Sequence, residues 1–402
     1  MMQACLQRAV PGTVWRRASA WILAIALSQS TGGGLTPGVR VEAGQAANSA
    51  SEAVQTEPTP RPARPTDTDG EATRERTERR RGGRKGAGGT AAGVGQTKQA
   101  TDAGAKPARP APPPPPPATM ANVAYGTHPR QVLDFWKADS ASPTPLVFVI
   151  HGGGWRGGDK EKGVTGLGVS RLLKQGISVV SINYRYTTQA AADGVTPPVK
   201  APLHDAARAL QFVRSKAGEW NIDKTRIGAT GGSAGACSSL WLAFHDDLAD
   251  PTSSDPVARE STRLLCAAVN GAQTTLDPVL MKEWIPNSTY GGHAFGIQGF
   301  DKFLAARESV KEWIAEYSPH AHVSAGDPPV YLVYNAAPAL GEAQKDPTHS
   351  ANFGVKLREL CQQHGVACDL VYPGAEGVKH PRAVEYLIEK LTAQPGPKPQ
   401  PN

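Results

Sequence analysis

The chain has 402 residues, with 43 Lys+Arg against 36 Asp+Glu and a formal net charge of +7, a length that would suit two or three domains although the composition supports one. The positive charge lies outside the part that can fold: residues 1–46 carry 4 basic and 1 acidic residue, residues 47–119 carry 12 and 8, and 27 of each remain in 120–402. A neutral folded segment argues against a nucleic-acid enzyme, which concentrates basic groups in its folded domain. No CxxC or HExxH spacing points to a metal site.

In chain order, residues 1–46 read as an export signal region. Arg8, Arg16 and Arg17 precede "ASAWILAIALS" (18–28), an apolar run of signal length and short for a membrane span. Cleavage near Ser30 or Ala46 gives a periplasmic or secreted protein; an uncleaved signal gives an anchored one. Residues 47–119 read as a disordered Pro/Gly/Arg-rich tether. They hold "RERTERRRGGRKGAGG" (74–89) and the run Pro112 to Pro117, and they lack the large apolar residues that would offset the entropy of ordering them. The basic cluster is read as a solvated linker, with nucleic acid, an anionic envelope or polysaccharide as the alternatives.

From residue 120 the pattern is that of a folded domain, 120–392, with a short disordered tail, 393–402. "VAYG…QVLDFW" (123–136) predicts antiparallel edge strands. "PLVFVI" (145–150) is an unbroken apolar run, as in a strand buried on both faces. Further strands are expected at 177–183, 226–230, 263–270, 329–335 and 367–373. Helices are expected at about 164–175, 201–217, from 234, 350–363 and 381–391. Strands alternating with helices predict an α/β fold with a mostly parallel sheet covered on both faces. Residues 275–318 break the rhythm and read as a cap-like insertion, either a lid or a fixed structural cap. Cys5 falls in the signal. Cys237, Cys266, Cys361 and Cys368 are compatible with disulfides or with buried thiols, and spacing does not pair them.

Two motifs carry the chemistry. In "IGATGGSAGACSS" (227–239) Ser233 follows a strand and opens a helix, and Gly231 and Gly235 flank it at two residues' distance. A serine that projects above a sheet on so tight a bend requires small neighbours there. In "FVIHGGGWRGGD" (148–159) three glycines follow another buried strand, so backbone N–H groups can approach a substrate. The amides of Gly152, Gly153 and Ala234 are the expected oxyanion hole, with a plain glycine-rich turn as the alternative. A phosphate loop would want GK[ST] or GxGxxG, and neither is present. His151 opens the glycine loop and is read as structural. Trp155 and Tyr184 either line the acyl pocket or belong to the core.

HGGGW, then "SINYRY" (181–186), then GGSAG resembles the esterase/lipase side of the α/β-hydrolase superfamily, nearest the hormone-sensitive-lipase-like and feruloyl-esterase-like (BD-FAE type) groups. The likeness covers about 123–391. Gly232 stands where the hormone-sensitive-lipase-like group usually has Asp, which favours the feruloyl-esterase-like side. The resemblance implies an α/β-hydrolase fold with a small cap and a histidine after the last strand. "YPGAEGVKHPRAVEYL" (372–387) offers His380 for that role, preferred over His349, His320 and His322, which precede that strand. The resemblance also implies an acid after the strand at 329–335, where "NAAPALGEAQKDPTHS" (335–350) offers Asp346 or Glu342, with Asp277 and Asp327 further off. Asp346 is preferred as the more usual residue type in a tight turn. The expectation is therefore an exported, cofactor-free serine hydrolase with Ser233, His380 and Asp346. It would cleave carboxylic esters of small molecules or acylated carbohydrate through an acyl-enzyme. Alternatives are a peptidase of the prolyl-oligopeptidase type and a non-catalytic binding protein on the same fold. The oligomeric state is not legible.

Overall fold

The computed structural model describes residues 114–393. The expected export signal, the tether up to residue 113 and the tail beyond 393 lie outside the described residues. The end of the proline run is held against the domain: the Trp136 indole N–H donates to the Pro116 carbonyl at 2.8 Å, and the Lys137 amide donates to Thr119 Oγ1 at 3.0 Å. The last residues of the expected tether, 114–119, are thus among the described residues.

Eight strands form one sheet: β1 (Met120–Ala124), β2 (Val132–Trp136), β3 (Thr144–Ile150), β4 (Ser178–Ile182), β5 (Ile222–Gly232), β6 (Cys266–Asn270), β7 (Val330–Val333) and β8 (Cys368–Val371). Their spatial order is β1-β2-β4-β3-β5-β6-β7-β8. The edge pairings β1–β2 and β2–β4 are antiparallel, and every pairing from β4 onward is parallel. The unbroken apolar runs have their reason here. In β3, Leu146, Phe148 and Ile150 enter one core while Val147 and Val149 enter the core on the opposite face.

Helices cover both faces. In chain order they are α1 (Lys160–Gly163), α2 (Val169–Lys174), α3 (Thr187–Ala192), α4 (Lys200–Ser215), α5 (Ala217–Trp220), α6 (Ala234–Phe244), α7 (Pro278–Trp284), α8 (Phe300–Ala305), α9 (Lys311–Tyr317), α10 (Pro319–His322), α11 (Asn352–Gln363) and α12 (Ala383–Thr392). Leu203, Ala206, Leu210 and Val213 of α4 bury the face that their three- and four-residue spacing predicts. Two expectations need revision. The helix expected at 164–175 is confined to α2, and the short α1 precedes it, because Gly166 and Gly168 take positive φ of 74° and 81°. The insertion between β6 and β7 is also longer than 275–318, since α7 to α10 extend to His322.

The carboxyl ends of β3, β5, β6 and β7 open onto one rim, the usual place for a site in a parallel sheet. A buried carboxylate fixes part of the frame beneath it. Asp205 of α4 is 1% exposed and accepts from Arg185 Nη2 at 2.6 Å, from the Arg185 amide at 2.9 Å and from Gln131 Nε2 at 2.7 Å. Removing one partner strands the other inside, so Asp205→Ala is expected to lower the free energy of unfolding by about 3–5 kcal/mol. Urea unfolding followed by far-UV circular dichroism measures this, and a loss below about 1 kcal/mol would contradict it.

Candidate active site

Ser233 sits between β5 and α6 with φ +55° and ψ −123°, a conformation that side chains rarely adopt. Its neighbours are glycine for steric reasons. A Cβ on Gly231 would lie 2.5 Å from the Ile150 carbonyl oxygen, and one on Gly235 would lie 2.1 Å from the same atom and 2.7 Å from the His151 oxygen. The Ser233 amide donates to the Asn270 carbonyl at 3.0 Å, which anchors the bend to the end of β6.

The glycine loop after β3 lies alongside this bend. A Cβ on Gly152 would meet the Gly232 oxygen at 2.7 Å and Ser233 Cβ at 3.5 Å. Gly153, Gly154 and Trp155 carry positive φ of 105°, 61° and 55°. Buried groups brace the loop from beneath. The Tyr184 hydroxyl donates to the His151 carbonyl at 2.8 Å, and the Trp155 indole donates to Ser238 Oγ at 3.0 Å. Both aromatics are fully buried, so they belong to the core and not to a substrate pocket. The His151 ring stacks on Tyr184 at 4.2 Å and donates from Nδ1 to the Gly152 carbonyl at 2.7 Å. Burial, with Arg130 close by, pulls its pKa from 6.5 down to about 4. His151 is thus a neutral strut of the loop.

The histidine that reaches Ser233 is His349. Its Nε2 lies 3.0 Å from Ser233 Oγ, and its Nδ1 lies 2.9 Å from Asp346 Oδ2. Asp346 caps the 3₁₀ turn Pro347–His349 and also accepts the His349 amide at 3.2 Å, so carboxylate and imidazole share one turn. Burial raises the Asp346 pKa, but the His349 hydrogen bonds and charge outweigh it and hold the carboxyl below its ordinary value. Neighbours lock the turn. The Gln273 amide donates to the Thr348 carbonyl at 2.7 Å. Asn352 bridges the Trp284 and Ala339 carbonyls at 2.7 and 2.8 Å.

His380 is not part of this group. Its Nε2 pairs with Glu389 at 2.9 Å, and its carbonyl accepts the Tyr331 hydroxyl, so α12 and β7 hold it where the loop after β8 turns down. The structure brings His349, and not the expected His380, to Ser233. The usable signal was the DPTH sequence itself: an Asp that caps a turn lies within reach of a histidine three residues on. Glu342 is exposed and makes no side-chain contact with His349. Asp277 caps α7 and pairs with Arg307 at 2.9 Å. Asp327 accepts the Ser324 amide, and His320 packs on Trp284. The four cysteines of the described residues are free thiols. Ser233, His349 and Asp346 line a cavity of about 560 Å³ that Gly152, Thr165 and Arg382 also border.

A serine on a strand-to-helix bend, at the carboxyl edge of a mostly parallel sheet, defines an α/β-hydrolase fold. The BD-FAE family model matches residues 133–341, just over half of the chain, and the chain belongs to that family. The chain is 25% identical over 264 residues to the probable carboxylic ester hydrolase LipM of Mycobacterium tuberculosis, covering 62% of this chain and 54% of that protein. It is 26% identical over 225 residues to the esterase LipC of the same organism, covering 53% and 50%. The chain thus spans about half the length of these curated relatives. Its fold is similar to that of a truncated carbohydrate esterase from gut microbiota, with a TM-score of 0.53 and 19% identity, over 70% of this chain and 100% of that one. The family match includes Ser233 and the glycine loop and stops before Asp346 and His349.

Two outcomes are expected of these residues. Gly235→Ala drives a methyl group into the Ile150 and His151 carbonyls, so it should cost about 3 kcal/mol of stability, read as a lowered denaturation midpoint. His151 has a native pKa below its unfolded value, so the unfolded chain binds the extra proton and stability falls as pH drops from 6.5 toward 4. Between pH 7 and pH 5 this group should remove about 2 kcal/mol. His151→Gln should shrink the pH 7-to-5 loss by that amount in urea titrations.

Proposed function

We propose that this protein hydrolyses carboxylic esters through a serine-linked acyl-enzyme. The observation that carries the reading is the continuous chain of contacts from Ser233 Oγ through the His349 ring to Asp346. Ser233 Oγ attacks the ester carbonyl carbon and its proton passes to His349 Nε2. Asp346 holds Nδ1–H and stabilises the imidazolium. The amides of Gly152 or Gly153 and of Ala234 receive the oxyanion, a contribution of about 3–4 kcal/mol per donor. His349 then protonates the departing alcohol. It next takes a proton from water, which attacks the acyl-enzyme, releases the acid and regenerates Ser233.

The names of the mycobacterial relatives, a carboxylic ester hydrolase and an esterase, support an ester as the substrate. The rim of the cavity carries Lys162, Thr165, Asn335 and Arg382, donors suited to hydroxyl-rich substrates. A short acyl group on a carbohydrate is the substrate class we favour. The leader-like residues 1–28 support an exported site of action. Among the described residues no helix is long and apolar enough to cross a membrane.

Hydrolysis of p-nitrophenyl acetate by the full chain tests the assignment. Ser233→Ala and His349→Ala should each lower kcat by about 10⁴–10⁶-fold. Asp346→Asn should cost less, about 10–10³-fold, because its side chain is 62% exposed and water screens it. His380→Ala should stay within about twofold of wild type, as expected of a substitution outside the reacting groups. Loss of activity with His380→Ala but not with His349→Ala would sink the relay. A folded wild-type chain with no turnover and no fluorophosphonate adduct on Ser233 would transfer the case to a non-catalytic binding protein.

A further inference from the structure

The helix that starts at Ser233 ends beside a second cluster of ligating side chains. His245 follows α6 directly, Glu316 lies in the last turn of α9, and His322 ends α10. One ligand atom from each lies within 4.8 Å of the other two. At about 1.5 Å per residue, the eleven residues of α6 put this cluster about 16 Å from the nucleophile, apart from the catalytic cavity.

Hydrogen bonding sets the tautomer of each ring. His245 Nδ1 lies 2.8 Å from the Asp246 carbonyl oxygen, an acceptor, so Nδ1 carries the proton and Nε2 keeps its lone pair. His322 Nε2 lies 2.6 Å from the Glu316 carbonyl oxygen, so Nε2 carries the proton and Nδ1 is left free. His245 Nε2 then faces Glu316 Oε1 at 3.3 Å. Two acceptors at that distance repel unless a proton or a cation lies between them. Carbonyl-pinned imidazoles that present their other nitrogen are the usual supports of a metal ion. The Trp241 indole donates to the same Glu316 carbonyl at 2.8 Å and packs on the His245 ring at 4.6 Å, which fixes the geometry further. The carboxyl end of α6 adds the negative end of a helix dipole.

We propose that His245, Glu316 and His322 bind a divalent transition metal, Zn²⁺ by the character of the ligand set. Two imidazoles and one carboxylate, with water as a fourth ligand, complete a tetrahedral zinc site. The bound ion ties the insertion between β6 and β7 to the far end of the helix that carries Ser233. Short-range motifs do not reveal such a site, because His245 is 71 positions from Glu316.

The test uses the full chain, stripped with a chelator and titrated with ZnCl₂ by calorimetry and thermal denaturation. One Zn²⁺ should bind with micromolar or tighter affinity and raise Tm by mass action. His245→Ala, His322→Ala and the milder His322→Gln should lower that affinity by at least about 100-fold and abolish the Tm shift. His349→Ala, which removes another imidazole–carboxylate pair, should retain both. Co²⁺ should give the visible absorption of a tetrahedral site in the wild type and not in the His245 or His322 variants. Absence of binding to the wild type, or equal binding by the His245 and His322 variants, overturns the proposal and leaves a hydrogen-bonded His245–Glu316 pair as the account of the cluster.

Discussion

The closeness of β3 to β5 is the constraint on which the site depends. Their parallel pairing brings the Ile150 carbonyl within van der Waals range of Gly231 and Gly235. No side chain fits there, so the bend at Ser233 is flanked by glycine and the serine itself is forced to φ +55°. The same closeness lays Gly152 against Gly232. Ser233 and the candidate oxyanion donors are therefore placed by one backbone contact. The strain at Ser233 is held by β-ladders on both sides and by the Asn270 carbonyl.

The second element of the site is built differently. Asp346 and His349 lie on one 3₁₀ turn, so the bond between carboxylate and imidazole is local and needs only that turn to form. What is not local is the aim of the turn at Ser233. Gln273 and Asn352 supply it by tying the segment after β7 to the loop after β6 and to α7. The loop after β8 does not reach Ser233 in this arrangement, and His380 is absorbed into the packing of α12 on β7. Asp346 remains largely in water, so its field on the imidazole is screened where a buried acid would act at full strength.

The insertion between β6 and β7 braces the glycine loop from the other side. Trp155 lies between that loop and the insertion, with ring centroids 6.4 Å from Tyr290 and 6.0 Å from His293. Burial and the positive charge of Arg156 lower the His293 pKa from 6.5 to about 4, so the ring packed under Gly154 is neutral like His151. Helix α6 therefore joins two regions: Gly235 in its first turn meets the backbone where the glycine loop begins, and its last turn meets α9 and α10.

Some of this is written in consecutive residues. An unbroken run such as Leu146–Ile150 has to be buried on both faces, and a serine between Gly231 and Gly235 has to mark a bend without room for side chains. These follow from periodicity and local sterics, which is why the alternation of strands and helices, Ser233 and the glycine loop were legible. The break between α1 and α2 was legible in principle too, at Gly166 and Gly168. Which histidine meets Ser233 was not. Asp346 and His349 are neighbours in the chain, but Ser233 is 116 positions from His349. The choice between His349 and His380 depends on where two loops end above the sheet, and that is decided by Gln273 and Asn352 for one and by Glu389 and Tyr331 for the other. The sequence determined the sheet and the bend at Ser233; tertiary packing alone decided which histidine meets that serine, because the two are brought together through space.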